Sequence, residues 1–148
     1  MPDDVDRLEV DEVLDLLGTA LSLQYRSALQ YTEVAGSLTG LQWQVLGVQL
    51  WAFAEAELDD ARRLVEKIVA LGGTPPSAPA ELRYEKEAPK AIDALIENEC
   101  EAVAALHAVI PHSGQEPRSE ALEHRLEHLI MRKQEQVDTL RRAVGTTG

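Results

Sequence analysis

Four apolar stripes with helical spacing, each broken near its middle by a polar residue, constrain this chain more than any other feature of its sequence. From Asp11 to about Leu38, Leu14, Leu17, Leu21, Ala28, Tyr31 and Ala35 recur at steps of three and four, with Gln24 in their midst. A second segment, from about Leu41 to Leu71, carries Leu50, Trp51, Ala54, Ala61, Leu64, Ile68 and Leu71. Glu57 interrupts it, with Asp60 on the flank one turn beyond. The third stripe, opened by Pro89, reads Ile92, Leu95 or Ile96, Val103, Leu106 and Ile110, and is broken by Glu99. The fourth follows Pro117 as Leu122, Leu126, Leu129, Leu140 and Val144, and is broken by Lys133 and Gln136. A polar side chain on such a face points inward and costs free energy unless it finds a partner. The interruptions are therefore expected to meet in one layer.

The connections say how the segments are joined. Gly36 to Gly40 leaves only a short link, which makes the second helix an antiparallel neighbour of the first. Gly72-Gly73, followed by Pro75 and Pro76, reads as a helix stop. The stretch GGTPPSAPAELRYEKEA from Gly72 to Ala88 is too long for an ordinary tight connection. Extended, its roughly seventeen residues span about 55 Å, enough to run the length of a second helix of roughly 45 Å. PHSGQEP, from Pro111 to Pro117, is a turn by composition. The expected architecture is all-α: an antiparallel four-helix bundle forming one domain over 1–148, with a long crossover between helices two and three.

Composition narrows the function. Of 148 residues, 45% are apolar and 27% charged, and the formal net charge is -12. That balance speaks against a nucleic-acid partner, which needs clustered Lys and Arg. No apolar run approaches the length of a membrane span, and MPDDVDRLEV lacks the apolar core of a signal peptide, so a cytoplasmic location is the default expectation. A lone cysteine, Cys100, allows no disulfide framework and reads as a small core or interface residue. His124 and His128, four residues apart, lie off the fourth stripe and read as solvated. Trp43, Trp51 and Phe53 give the second helix more apolar surface than one stripe needs, which suggests a contact between subunits. A homo-oligomer is expected; a further protein partner is left open.

With LSLQYRSALQY, AEAELDDARRLVEKIVALGGTPP, ALIENECEAVAALHAVI and EHLIMRKQEQVDTLRR on its four segments, the chain resembles the ferritin-like superfamily, specifically its bacterioferritin-like branch. That resemblance implies a di-metal centre held by Glu from the first helix, Glu-x-x-His from the second, Glu from the third and Glu-x-x-His from the fourth. Carried over, the positions are Gln24, then Glu57 and Asp60, then Glu99, then Lys133 and Gln136. Only Glu57 and Glu99 keep the residue the resemblance implies. The position of the haem-ligating Met falls at Leu58, so haem is not expected.

Lys133 is the sharpest departure, because an ammonium has no lone pair to offer a metal. It is expected to pair with Glu57 or Glu99. Glu57, Asp60 and Glu99 with Lys133 sum to about -2 if all are ionised. Two outcomes relieve that charge. One divalent ion (Fe, Mn, Mg or Ca) is held by Gln24, Glu57 and Asp60 with Glu99 nearby, or the carboxylates share protons in a metal-free cluster with Lys133, Gln136, Gln24 and Tyr31. The corresponding functions are a ferritin-like protein with a degenerate, non-ferroxidase centre in a structural, binding or regulatory role, and an iron-binding, iron-storage or oxidative metalloprotein with an altered site.

Overall fold

The computed structural model describes residues 8–114 and 116–145. Its helices are α1 (Val10–Ser37), α2 (Gln44–Ala70), α3 (Ala88–Val109) and α4 (Pro117–Ala143), with short 3-10 turns at Leu41–Trp43 and Ile110–His112. The chain is an all-α four-helix bundle, as its stripes predict. The expected second helix loses its first turn to a 3-10 turn, where Gly40 at φ 105 redirects the chain. No described helix is long and apolar enough to cross a membrane.

The stop signals act as their chemistry requires. Gly72 adopts φ 86, a left-handed conformation that costs a side-chain-bearing residue strain. Its N–H donates to Val69 O at 2.9 Å, and the Gly73 N–H donates to Ile68 O at 2.9 Å. This closing pair of bonds satisfies the last carbonyls of α2. Pro89 and Pro117 stand in the first turns of α3 and α4, where a missing N–H is harmless.

The crossover follows α1. Pro76 packs beside Gly18, Ala80 N–H donates to Ser22 O at 2.9 Å, and Gln30 clamps Arg83 from both sides. The Gln30 amide donates to Arg83 O at 2.7 Å and accepts from Arg83 N–H at 2.8 Å. Arg83 then reaches Glu97 and Glu101 on α3, while Arg26 of α1 meets Glu101 at 2.9 Å. The strap thus lies between α1 and α3 and returns the chain so that α3 runs parallel to α2.

Two apolar clusters fill the ends of the bundle. Leu17, Leu21, Leu64, Ile68, Leu106 and Leu126 belong to one, and Val34, Leu50, Ala54, Ile92, Leu95 and Leu140 to the other. The polar layer lies between them. Two inward readings need correction. Trp51 is 51% exposed, because six residues, about 1.7 turns, separate it from Glu57. Leu50, one residue earlier, takes the inward place. Cys100, read as a core or interface residue, is exposed in the single chain, which overturns the core reading alone, because it lies about 100° round α3 from Glu99.

Candidate functional site

Each helix sends polar side chains into the middle layer. Gln24, Ser27 and Tyr31 come from α1, Glu57 and Asp60 from α2, Glu99 from α3, and Lys133 and Gln136 from α4, all of them buried. The three- and four-residue spacing that puts Leu and Ile inward elsewhere puts these groups inward here.

Lys133 occupies the centre. Its ammonium donates to Oε1 and Oε2 of Glu57 at 2.9 Å each and to Oε1 of Glu99 at 3.0 Å. Three protons thus have three carboxylate acceptors, which is the full capacity of the group. Gln136 Nε2 donates to Glu99 Oε2 at 2.7 Å and to Glu57 Oε1 at 3.1 Å, with the Tyr31 hydroxyl at 3.4 Å. On the opposite side the Gln24 amide donates to the Glu57 backbone carbonyl at 2.9 Å and to its carboxylate. Ser27 Oγ donates to Glu99 Oε1 at 3.3 Å.

Asp60, buried in the same layer, is engaged by a different cation. Its carboxylate takes an ion pair from Arg132 of α4, a side chain one-third exposed at the edge of the bundle. Of the expected half-site of Gln24, Glu57 and Asp60, the hydrogen bonds tie the first two to each other and the ion pair ties the third to α4. Gln24 and Glu57 are joined, whereas Asp60 is bound to a cation that the apolar stripes did not single out.

Electrostatics follow from burial and partners. Burial alone would raise the Glu57 carboxyl, but the Lys133 charge and hydrogen bonds from Glu99, Lys133 and Gln24 hold it below its ordinary value. Burial pushes Glu99 up to about 8 against the pull of Lys133, and the Glu57 charge adds to the rise. Burial opposes the charge on Lys133, yet Glu57 and Glu99 outweigh it and raise its affinity for a proton. Burial, with the charges of Glu99 and Glu57, pushes the Tyr31 hydroxyl well above its usual range. Asp60 is pushed up to about 6 by burial, with Arg132 opposing.

At neutral pH these directions give an ionised Glu57, a protonated Lys133, a protonated Glu99 and a neutral Tyr31. Protonated Glu99 is a donor to Glu57. The surplus charge of about -2 counted from sequence disappears, because Arg132 offsets Asp60 and a proton offsets Glu99. Chemically, the layer is a neutral hydrogen-bonded tie between all four helices.

Among residues that the stripes left out, Ser27 and Arg132 complete the layer. Ser27 lies three residues from Gln24, a spacing that could have found it; Arg132 is adjacent to Lys133 and carries no such mark. His124 and His128 are exposed and stand apart from it, as does His107.

Comparison with known proteins places the architecture. The family model described as the ferritin-like domain matches residues 14–147. No curated protein matches the sequence. A ferritin-like, diiron-carboxylate protein from Bacillus anthracis str. Ames superposes with a TM-score of 0.86 at 23% identity, covering 92% of this chain and 97% of that one. A dodecameric thioferritin, the bacterioferritin-related protein of Bacteroides fragilis, gives a TM-score of 0.82 at 16% identity, covering 93% of this chain and 87% of that one. At such identities the superpositions speak for the fold, while the family match spans nearly the whole sequence, and the chain belongs to the ferritin-like family.

Proposed function

We propose that this ferritin-like bundle works without a di-metal centre, with the Lys133 ammonium holding together the carboxylates that would otherwise face metal ions. One observation carries the reading: a buried ammonium within 3.0 Å of both Glu57 oxygens and of Glu99. A pair of metal ions does not fit this donor set. A cation already engages Glu57 and Glu99, Asp60 is committed to Arg132, and the remaining side chains are amides and hydroxyls that bind redox metals weakly.

The role that follows is structural, binding or regulatory rather than ferroxidase. The dodecameric state of the Bacteroides fragilis protein supports a homo-oligomer here as well. A cytoplasmic location accords with the acidic, span-free sequence.

Metal analysis after expression with iron or manganese tests the reading. Substoichiometric metal and no dioxygen-dependent iron oxidation are expected. About two equivalents per chain with iron oxidation would overturn it in favour of a working di-iron site. About one tightly held ion, lost in Glu57→Ala, would replace it with a mononuclear site on Gln24, Glu57 and Asp60.

A further inference from the structure

The seam between α2 and α4 gathers positive charge that the polar layer does not use. Of the helix pairs that lie side by side, these two are the least closely packed. Asp60 and Arg132 meet across the seam. Two turns further in the same direction, about 10 Å away, the equivalent positions hold Lys67 on α2 and Arg125 on α4. Because the helices are antiparallel, these two come level with each other, cation facing cation. Arg63, one turn before Lys67, joins them from α2. All three residues are half-buried.

Neighbours along the helices give little relief. The positions three and four residues to either side of Arg125 are Ala121, Leu122, His128 and Leu129, and none is acidic. Those around Lys67 are Arg63, Leu64, Ala70 and Leu71. Arg63 and Lys67 thus form a like-charged pair four residues apart, which destabilises a helix. Arg63 has Asp59 at 3.2 Å, but among the described residues neither Lys67 nor Arg125 has an ion pair. Arg132, at the upper end, keeps a buried Nε without a partner. Lys67 lies in the last turn of α2, where the helix dipole favours a cation. That accounts for Lys67 and leaves Arg125, brought against it from another helix, unexplained. The chain has 26 acidic residues to 14 basic ones, so the convergence runs against its composition.

We propose that this seam binds an oxyanion of the phosphate class, held by Arg125 and Lys67 with Arg63 and Arg132 at its margins. Set against Asp59 and Asp60, the four cations leave an excess of about two positive charges, the charge of a phosphate dianion near neutral pH. Arg125 offers a planar fork of donors that fits two phosphate oxygens at once, and Lys67 a compact point charge from the facing helix. An anion between them turns a repulsion across the seam into two attractions. Partial burial strengthens both, since water screens charge less there than at an open surface. The same chemistry serves a free phosphate ion or the phosphoryl group of a small ester.

Titration calorimetry of the full chain near neutral pH tests the site with inorganic phosphate and with glycerol 3-phosphate. Chloride at matched ionic strength serves as the blank. A chelator is present throughout, so that no metal ion carries the anion and the outcome stands apart from the metal-free reading of the polar layer. Saturable binding above the blank is expected. Arg125→Gln and, separately, Lys67→Gln should each raise the dissociation constant about tenfold or more. Lys90→Gln, on the exposed side of α3, should leave it within about threefold. The bound anion should also raise the melting temperature of the parent and not that of Arg125→Gln. The altered positions are not fully buried, so the helical circular-dichroism spectrum should persist in every variant. Binding of both probes, or of the ester alone, that is lost in the two seam variants supports the site and tells a free ion from an ester. No binding of either probe above the blank overturns the proposal. So does binding that is indifferent to Arg125→Gln and Lys67→Gln, or weakened equally by Lys90→Gln.

Discussion

The Lys133 ammonium stands 2.9 Å from each oxygen of Glu57, and both side chains are shut off from water. Taking two such charges out of water is expensive, and their attraction repays it only when the remaining lone pairs and protons are also satisfied. Here Glu99, Gln136 and Gln24 supply that completion. The pair is therefore one unit with its surroundings, and removing one charge leaves the other uncompensated, with only neutral hydrogen-bond donors around it.

Lys133→Met should lower the unfolding free energy by about 3–5 kcal/mol if the carboxylates stay ionised, and by less where they take up protons instead. Adding Glu57→Gln and Glu99→Gln to that variant should recover most of the loss, because no uncompensated charge then remains. Chemical denaturation at neutral pH measures both. A Lys133→Met protein as stable as the parent would refute the central pairing.

The proton on Glu99 makes stability depend on pH in a definable window. Its folded-state value, about 8, lies above the ordinary carboxyl value of 4.5, so the folded chain binds a proton that the unfolded chain has released. The contribution is full below about 4.5 and is lost as pH rises through about 8. Glu57 acts in the opposite sense: its value is lowered, so its contribution is present above 4.5 and is lost as pH falls. Melting temperature should thus decline between pH 5 and pH 8.5, and Glu99→Gln, which keeps a neutral group in place, should flatten that decline. A decline of the same slope in the variant would show that the proton sits elsewhere.

Residues differ in how far their places can be read from the chain. Gln24, Glu57, Glu99 and Lys133 declare themselves because each replaces an expected apolar residue in a periodic row. Their common depth follows from the lengths of the flanking rows. Asp60 and Arg132 do not pair visibly in the sequence. Each lies at the margin of its inward face, Asp60 about 60° from Glu57 and Arg132 about 100° from Lys133, so their meeting depends on how α2 and α4 are rotated against each other. The proton on Glu99 is hidden for a different reason, since it arises from burial and neighbouring charge together. Trp51 misleads through its neighbour Leu50: both are large and apolar, and only helix phase decides which one turns inward.

The junction of α2 with the crossover offers a prediction about backbone and packing. A Cβ on Gly73 would stand 2.6 Å from Leu14 Cδ2 and 3.1 Å from Ile68 Cγ2, whereas one on Gly72 would meet nothing but requires φ 86. Gly72→Ala should cost about 1–2 kcal/mol through the left-handed conformation alone. Gly73→Ala should cost about 1–3 kcal/mol, because Leu14 and the start of the strap must shift to admit the methyl group. Urea denaturation of the two variants gives the costs. A Gly73→Ala protein with unchanged stability would show that the contact with Leu14 relaxes freely.

The Arg132–Asp60 pair closes the layer at its solvent edge and should reveal itself by when its loss is felt. At pH 5 the Asp60 carboxyl, raised to about 6, already holds a proton in the folded chain. Removing the Arg132 charge with Arg132→Gln then strands little. At pH 8 the parent carries an ionised Asp60 against the guanidinium, while the variant must either bury a bare carboxylate or retain the proton, which raises the folded-state value further. A raised value means stability lost as pH climbs through it. The deficit of the variant should therefore grow from pH 5 to pH 8. Because Arg132 is one-third exposed, solvent screens part of its charge, and about 1 kcal/mol at pH 8 is expected rather than the several that a fully buried pair would forfeit. Thermal melts at the two pH values decide it: a deficit of equal size at both would mean that Arg132 contributes through the packing of its stem, not through its charge on Asp60.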